Sequence, residues 1–157
     1  MIVVADTTPL NYLVLIDEIR LLPGLFDKVL IPRAVFAELQ HPEASIKIRQ
    51  WLAEAPIWLE VCQVALPAST LPTPLDAGER EAIQLALERG IETILIDEIA
   101  GRKAAEGLGL EARGTLGILE YGARLGLTSF RPALHKLEQT NFRISPAVKA
   151  VFLARNP

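Results

Sequence analysis

Short apolar runs that alternate with helical segments are the feature that most constrains this chain. Residues 2–5 form a β-branched, uncharged run of the kind that makes a strand buried on both faces. Similar runs lie at 28–31 and 93–96, and each is followed by apolar residues at helical spacing. Strands that alternate with helices predict a mainly parallel sheet joined by right-handed crossovers. We therefore expect an α/β fold, a three-layer α/β/α sandwich.

The remaining elements complete one predicted domain. A first helix is expected to be capped by Thr7 or Thr8, with Pro9 in its first turn. The clearest helix begins at Asp76 and stops at Gly90. Weaker patterns predict helices at 32–39, 43–53, 101–106, 115–124, 132–139 and 145–154, a short strand or extended connection at 57–61, and a strand at 110–112.

We expect a single domain over 1–157, with a core at 2–126 and a C-terminal helical extension at 127–157. Residues 67–74 are rich in Pro, Ala, Ser and Thr, and we interpret them as an ordered surface loop. They are not interpreted as a linker between domains, because neither flanking part is long enough for a comfortable core of its own.

Composition excludes several classes of protein. One cysteine and two histidines are too few for a disulfide scaffold or a Cys/His zinc finger. No serine or cysteine lies in a nucleophile motif, which disfavours a Ser-His-Asp or Cys-His hydrolase. The N-terminus lacks a basic leader, and three prolines interrupt the longest uncharged stretch. We therefore expect a cytoplasmic protein with no membrane-spanning segment.

Charge is distributed unevenly along the chain. Residues 1–100 contain 7 Lys and Arg against 15 Asp and Glu, whereas residues 101–157 contain 9 against 4. Both parts are compatible with ordinary solvated surfaces, and the formal net charge of −3 by itself argues against a nucleic-acid partner. The basic part becomes a candidate phosphate contact only if an active site lies beside it.

Acidic residues follow two predicted strands and lie on two predicted helices. Asp6 and Asp97 come directly after buried strands, at the edge where ligands of parallel sheets collect. Glu79 lies at the start of the clearest helix, and Glu38 can reach inward from an earlier one. Each acid alone is compatible with a helix cap or a solvated residue, but four together repel one another and are expected to hold a cation. All-oxygen ligands favour Mg²⁺ or Mn²⁺, which activate water and stabilise phosphate in displacement, so the pattern predicts phosphodiester hydrolysis.

Five motifs in order resemble those of PIN-domain proteins, the ribonuclease fold of the VapC-type toxins. The resemblance is closer to a branch of PIN-like proteins of unknown function that have Asp-Thr-Thr/Ser-Pro-Leu near the N-terminus. It covers about residues 2–126, with a further match at 141–145. The motifs are Asp6-Thr7-Thr8-Pro9-Leu10, Ile31-Pro32 with Val35 and Glu38-Leu39, Gly78-Glu79-Arg80-Glu81-Ala82-Ile83, Leu95-Ile96-Asp97-Glu98 with Arg102, and Gly114-Thr115-Leu116-Gly117.

The resemblance implies a metal-dependent endoribonuclease, the toxin of a toxin-antitoxin pair. Its acidic quartet, which would be both catalytic and metal-binding, maps onto Asp6, Glu38, Glu79 and Asp97. Thr8 matches the small hydroxyl residue that supports the first acid. The pair Asp97-Glu98 leaves two choices for the direct ligand of Mg²⁺ or Mn²⁺, and Glu79 stands where the commoner pattern has Asp.

RNA is the substrate that the resemblance implies, and a small antitoxin protein is the implied partner. The candidate phosphate contacts come from the basic part of the chain and are Arg102, Lys103, Arg113 and Arg124. For Arg102, an ion pair with Asp97 or Glu98 is expected as readily as a contact with phosphate. Apolar residues near the C-terminus are interpreted either as core or as a homodimer surface, including Leu116, Leu119, Tyr121, Val151, Phe152 and Leu153.

Two other functions stay open at this stage. A catalytically inactive PIN-like binding module would keep the fold and act through a protein partner. A phosphatase of the haloacid dehalogenase type is a weaker alternative, because it would need a second Asp where Thr8 stands. A dinucleotide-binding fold lacks its glycine-rich turn, which Asp6-Thr7-Thr8-Pro9 replaces.

Overall fold

A computed structural model of the chain describes residues 1–65 and 75–157. Its centre is a five-stranded sheet in which every neighbouring pair is parallel, in the order β3-β2-β1-β4-β5. The strands are β1 (Ile2–Ala5), β2 (Lys28–Pro32), β3 (Leu59–Cys62), β4 (Thr93–Leu95) and β5 (Glu111–Arg113). The predicted parallel α/β fold is confirmed, with β1 at the centre of the sheet.

Helices connect the strands and cover both faces of the sheet. In the described ranges they are α1 (Thr7–Leu15), α2 (Leu21–Leu25), α3 (Arg33–Leu39), α4 (Ile46–Ala53), α5 (Ala77–Arg89), α6 (Ile99–Gly107), α7 (Thr115–Arg124), α8 (Phe130–Glu138) and α9 (Pro146–Arg155). Val3 and Ala5 of β1 face one apolar core together with α1, α3, α4, α7 and α8. Val4 faces the opposite core, which α5 and α6 complete. This alternation along β1 produces the three layers.

Several predicted helix boundaries differ from the observed ones. Helix α1 begins at Thr7 with Asp6 as its N-cap residue, so neither threonine is the cap that we expected. Helix α4 begins at Ile46, not at 43, because the Ser45 hydroxyl accepts a hydrogen bond from the Ile48 amide and caps the helix there. Helix α2 was not predicted, since its sequence contains a Pro-Gly pair that usually breaks helices.

The C-terminal helices pack on the first core. Leu116 and Leu119 of α7 are buried, and the Phe152 ring of α9 lies 5.9 Å from the Phe130 ring of α8. Core packing therefore accounts for most of the apolar residues that we had also considered as a homodimer surface, whereas Val151 stays exposed. In the described part of the chain, no helix combines the length and apolarity needed to cross a bilayer.

Two polar contacts join elements that are distant in sequence. The Ala34 amide at the start of α3 donates a 3.2 Å hydrogen bond to Glu81 Oε1 of α5, so these helices are tied together although they belong to opposite layers. The buried carboxylate of Glu120 forms an ion pair with Arg155 Nε at 3.1 Å and accepts a hydrogen bond from Asn156 Nδ2 at 2.8 Å. The predicted loop at 67–74 lies outside the described residues.

Candidate functional site

Three carboxylates border a small space beside Gly78, at the carboxyl edge of the sheet. Asp6 follows β1, Glu38 lies in the last turn of α3, and Asp76 is the N-cap residue of α5. A Cβ atom placed on Gly78 would lie 3.1 Å from Glu38 Oε2, 3.2 Å from Asp6 Oδ1 and 3.5 Å from Asp76 Oδ1. Because each oxygen lies within 3.5 Å of that point, any two lie within twice that distance of each other. The missing side chain of Gly78 keeps this space free.

Asp6 forms the floor of the space and the other two acids form its rim. Asp6 is only 4% exposed, whereas Glu38 and Asp76 are exposed. Burial raises the pKa of Asp6 to about 8, against the opposing effect of a hydrogen bond from the Thr7 backbone, and the charges of Asp76, Glu79 and Glu38 raise it further. A cation beside Asp6 would favour its charged form and reverse this shift.

A threonine positions the Glu38 side chain. The Thr7 hydroxyl donates a 2.6 Å hydrogen bond to Glu38 Oε2, which connects the first turn of α1 to the end of α3. Sequence reasoning considered Thr7 only as a helix cap, and nothing in the local pattern signals a contact across 31 positions. The supporting role that the resemblance gave to Thr8 stays a prediction.

Glu79 is held mainly by the start of its own helix. Asp76 Oδ1 accepts a 2.8 Å hydrogen bond from the Glu79 amide, and Glu79 Oε1 accepts a 3.3 Å bond from the Asp76 amide. These two bonds form a capping box, in which each residue satisfies the backbone of the other. The other oxygen, Oε2, is buried without a hydrogen-bond partner in the described structure and would lie 2.5 Å from a Cβ atom on Gly101.

The surroundings of Glu79 also change its acidity. Burial raises the pKa of Glu79 to about 7, against the effect of the Asp76 backbone hydrogen bond, and the neighbouring Asp76 and Glu98 charges add to the increase. Its carboxylate therefore lies between the Gly78 space and α6, with a pKa near neutrality.

Asp97 lies at the same sheet edge but is bound to α7. It follows β4, whose Leu95 pairs with Ala5 of β1. The Thr115 amide donates to Asp97 Oδ1 at 2.8 Å, and the Thr115 hydroxyl donates to Oδ2 at 2.7 Å. Burial raises the pKa of Asp97, while these two hydrogen bonds and the charge of Arg102 oppose the increase. Both Asp97 oxygens thus stabilise the start of α7 in this structure.

The donor set fits a hard cation, although the side chains are not arranged around one. Among residues 1–65 and 75–157, no three His, Cys, Asp or Glu side chains are positioned to hold a metal ion as they stand. Mg²⁺ and Mn²⁺ prefer carboxylate and water oxygens, which is what the space at Gly78 offers. Glu79 Oε2 is a further oxygen that could bind such an ion without breaking a hydrogen bond, because it is buried and has no partner in the described structure. The chemistry of the site therefore suits such an ion.

The four candidate phosphate contacts lie in different surroundings. Lys103 of α6 is exposed, whereas Arg113 is ion-paired with Glu111 at 2.9 Å and also contacts the Tyr121 ring. Arg124 lies at the far end of α7, about 14 Å along the helix axis from the residues beside Asp97, and it contacts Glu120. Arg124 therefore lies away from the acidic residues, and its contact with RNA stays a prediction.

Arg102 and Glu98 flank Asp97. Arg102 Nη1 would lie 3.3 Å from a Cβ atom on Gly114, and Asp97 Oδ1 would lie 2.8 Å from the same atom. The positive charge of Arg102 lowers the pKa of Asp97, and both roles expected for Arg102 stay predictions. Glu98 is the exposed N-cap residue of α6 and makes no capping hydrogen bond with its side chain.

Comparison with known proteins agrees with this architecture. The model of the family DUF3368, described as a PIN domain, matches residues 2–156. No curated protein matches the chain significantly. PIN domains are generally nucleases, which are hydrolases, and they generally bind divalent metal ions. A match over nearly the whole chain, on a parallel sheet with acids at its carboxyl edge, shows that this protein belongs to the PIN-domain family.

Proposed function

We propose that this protein is a metal-dependent endoribonuclease that hydrolyses RNA phosphodiester bonds. The observation that carries the proposal is the approach of Asp6, Glu38 and Asp76 oxygens to one small space at Gly78, at the carboxyl edge of a PIN fold. Carboxylates that face one another without a counter-charge are unfavourable, so a functional role explains them better than stability does. PIN nucleases act on RNA, which supports RNA as the substrate here.

The proposed metal is Mg²⁺ or Mn²⁺, and its proposed protein ligands are Asp6, Glu38, Glu79 and Asp97. When bound, the ion supplies an activated water and offsets the negative charge that develops on the phosphate. Asp6 would contribute a buried charge at the floor, and Glu38 would be kept in place by Thr7. A carboxylate oxygen can bind a metal ion while it accepts a hydrogen bond, so Asp97 can keep both bonds from Thr115 when the ion is bound.

Glu79 is the proposed group that orients the attacking water and takes its proton. Its Oε2 atom has no hydrogen-bond partner in the described structure, so it can accept a hydrogen bond from the attacking water. Arg102 and Lys103 lie on α6, whose first turn is at the same sheet edge, and are the proposed contacts for the RNA phosphates.

The test is cleavage of a mixed RNA substrate by the purified chain in Mg²⁺ or Mn²⁺. We expect Asp6→Asn and Glu38→Gln to abolish cleavage and Glu92→Gln to leave it unchanged, because Glu92 is an exposed acid at the opposite edge of the sheet. Cleavage by Asp6→Asn at the parent rate would overturn the proposal, as would failure of the parent chain to cut RNA with either ion.

A biological role as the toxin of a toxin-antitoxin pair extends this proposal. We propose that the protein acts in the cytoplasm as a homodimer and that a small antitoxin covers its acidic site. Induced expression of the parent chain would then stop growth, and Asp6→Asn would relieve the arrest. Co-expression of a short neighbouring reading frame would restore growth, and sedimentation would give the mass of a dimer.

An inactive binding module is the second candidate, and the Asp97 contacts favour it specifically. With both Asp97 oxygens bound to Thr115, one acid of the quartet already has a structural role. The module would bind a protein partner without turnover, and Asp6→Asn would leave that binding unchanged. Metal-dependent cleavage that is lost in Asp6→Asn decides against this candidate.

A further inference from the structure

We propose that Asp76 is a ligand of the same cation, so that α5 contributes this carboxylate to the ion in addition to Glu79. The inference rests on the proposed function, because it concerns the same site. Nothing in the sequence pattern assigns this role, since Asp76 has the spacing of an ordinary helix cap.

The geometry places Asp76 beside the same small space as Asp6 and Glu38. Its Oδ1 atom lies 3.5 Å from the point that Asp6 Oδ1 and Glu38 Oε2 approach to 3.2 and 3.1 Å. Asp76 and Glu38 are both exposed and come from helices on opposite layers, so they stand at the rim above the buried Asp6. An ion that enters from solvent would meet both rim carboxylates before it reached the floor.

Glu79 is less well placed than Asp76 to approach that ion. One of its oxygens accepts a hydrogen bond from the Asp76 amide at 3.3 Å, and the other faces α6, 2.5 Å from the position of a Cβ atom on Gly101. The carboxylate of α5 that borders the Gly78 space is therefore that of Asp76. Glu79 remains available to orient water from the side of α6.

Helix capping does not require a charged residue at position 76. The hydrogen bond from the Glu79 amide to Asp76 Oδ1 is one that Ser or Asn makes equally well at an N-cap. The charge of Asp76 is favourable at the start of α5, because it interacts with the positive end of the helix dipole. It is unfavourable beside the oxygens of Asp6 and Glu38, which approach the same point, and a cation bound between them would remove that repulsion.

The test is Mn²⁺ binding by the full chain, measured by calorimetry and by the electron paramagnetic resonance signal of free Mn²⁺. The variants Asp76→Ser and Asp76→Asn keep the cap and remove the charge, so the metal-free protein should be as stable as the parent or more stable. We expect their Kd for Mn²⁺ to rise about tenfold or more. Asp27→Asn, at an exposed position before β2 at the amino edge, is the matched control with unchanged affinity.

The outcomes separate this inference from the proposed function. Parent-like Mn²⁺ affinity in both Asp76 variants, with binding lost in Asp6→Asn, would overturn the role of Asp76 and leave the nuclease proposal intact. If the parent chain binds Mn²⁺ but cuts no RNA, and the Asp76 variants bind Mn²⁺ more weakly, Asp76 is supported as a metal ligand and the nuclease proposal is refuted. Absence of Mn²⁺ binding by the parent chain would overturn both the cation site and Asp76 as its ligand.

Discussion

Replacement of Gly78 by alanine tests whether the space between the carboxylates is used. The new methyl carbon would lie 3.1, 3.2 and 3.5 Å from oxygens of Glu38, Asp6 and Asp76, and ordinary contacts begin at 3.4 Å. Two carboxylates would have to move by a few tenths of an ångström, and an apolar group would occupy the position that we propose for the ion. We expect Mn²⁺ affinity to fall at least tenfold, about 1.4 kcal/mol, and RNA cleavage to fall with it.

The same substitution should leave the fold intact. Gly78 lies in the first turn of α5, without a positive φ, and alanine is favoured over glycine in helices by up to about 1 kcal/mol. Urea denaturation of the metal-free protein should therefore give a free energy of unfolding within about 1 kcal/mol of the parent. Loss of metal binding without loss of stability identifies a local effect on the site.

Gly117→Ala is the matched control for this experiment. Gly117 lies inside α7, and a Cβ atom there would have no neighbour within 4 Å. This variant should gain up to about 1 kcal/mol of stability and keep the parent affinity for Mn²⁺. If Gly78→Ala bound Mn²⁺ and cut RNA as the parent and the control do, the reasoning that places the ion beside Gly78 would be refuted.

Three further predictions concern the acids and their partners. The pKa of Asp6 is about 8 in the folded chain and ordinarily 3.8, so the folded state keeps a proton that the unfolded state loses, and metal-free stability should fall as pH rises from about 4 to 8. Asp6→Asn has no carboxyl group to ionise, so its free energy of unfolding at pH 7 in EDTA should exceed that of the parent by on the order of 2–4 kcal/mol. An equally large difference at pH 4 would show that the raised pKa of Asp6 is not the cause. Thr115→Val removes one donor to Asp97 and should cost about 1–2 kcal/mol in urea denaturation, so an unchanged stability would show that this hydroxyl is dispensable. Glu120→Gln weakens the ion pair with Arg155, so amide hydrogens of α9 should exchange faster while those of β1 do not, and equal protection of α9 would argue against the contact.

The fold was predictable because β1, β2 and β4 are short, largely apolar runs, each followed by a helix. Crossover handedness narrows the possible strand orders but does not select one, and the order β3-β2-β1-β4-β5 was not predicted. Helix ends were less predictable, because the cap at Ser45 depends on which of several polar residues meets a free amide. Helix α2 buries Leu21 and Leu22 despite its Pro-Gly pair, so packing outweighs propensity there.

The candidate site was predictable only in part, since local spacing does not show where a side chain points. Asp6 and Glu38 approach each other as expected, because a strand end and a neighbouring helix bring them to one edge. Asp76 was interpreted as a cap, and it is one, but the same geometry turns its carboxylate toward Asp6. The contact between Asp97 and Thr115 spans two strands and depends on tertiary structure, which no single motif reports.

The hydrogen bond between Ala34 and Glu81 bears on which divalent ion the proposed site would prefer. It fixes how α3 and α5 sit against each other, and these helices carry Glu38 and Asp76. Selectivity between Mg²⁺ and larger divalent ions depends on cavity size and rigidity as well as on the ligands. Substitution of Glu81 therefore offers evolution, or an engineer, a route to a different ion preference in which every proposed ligand stays unchanged.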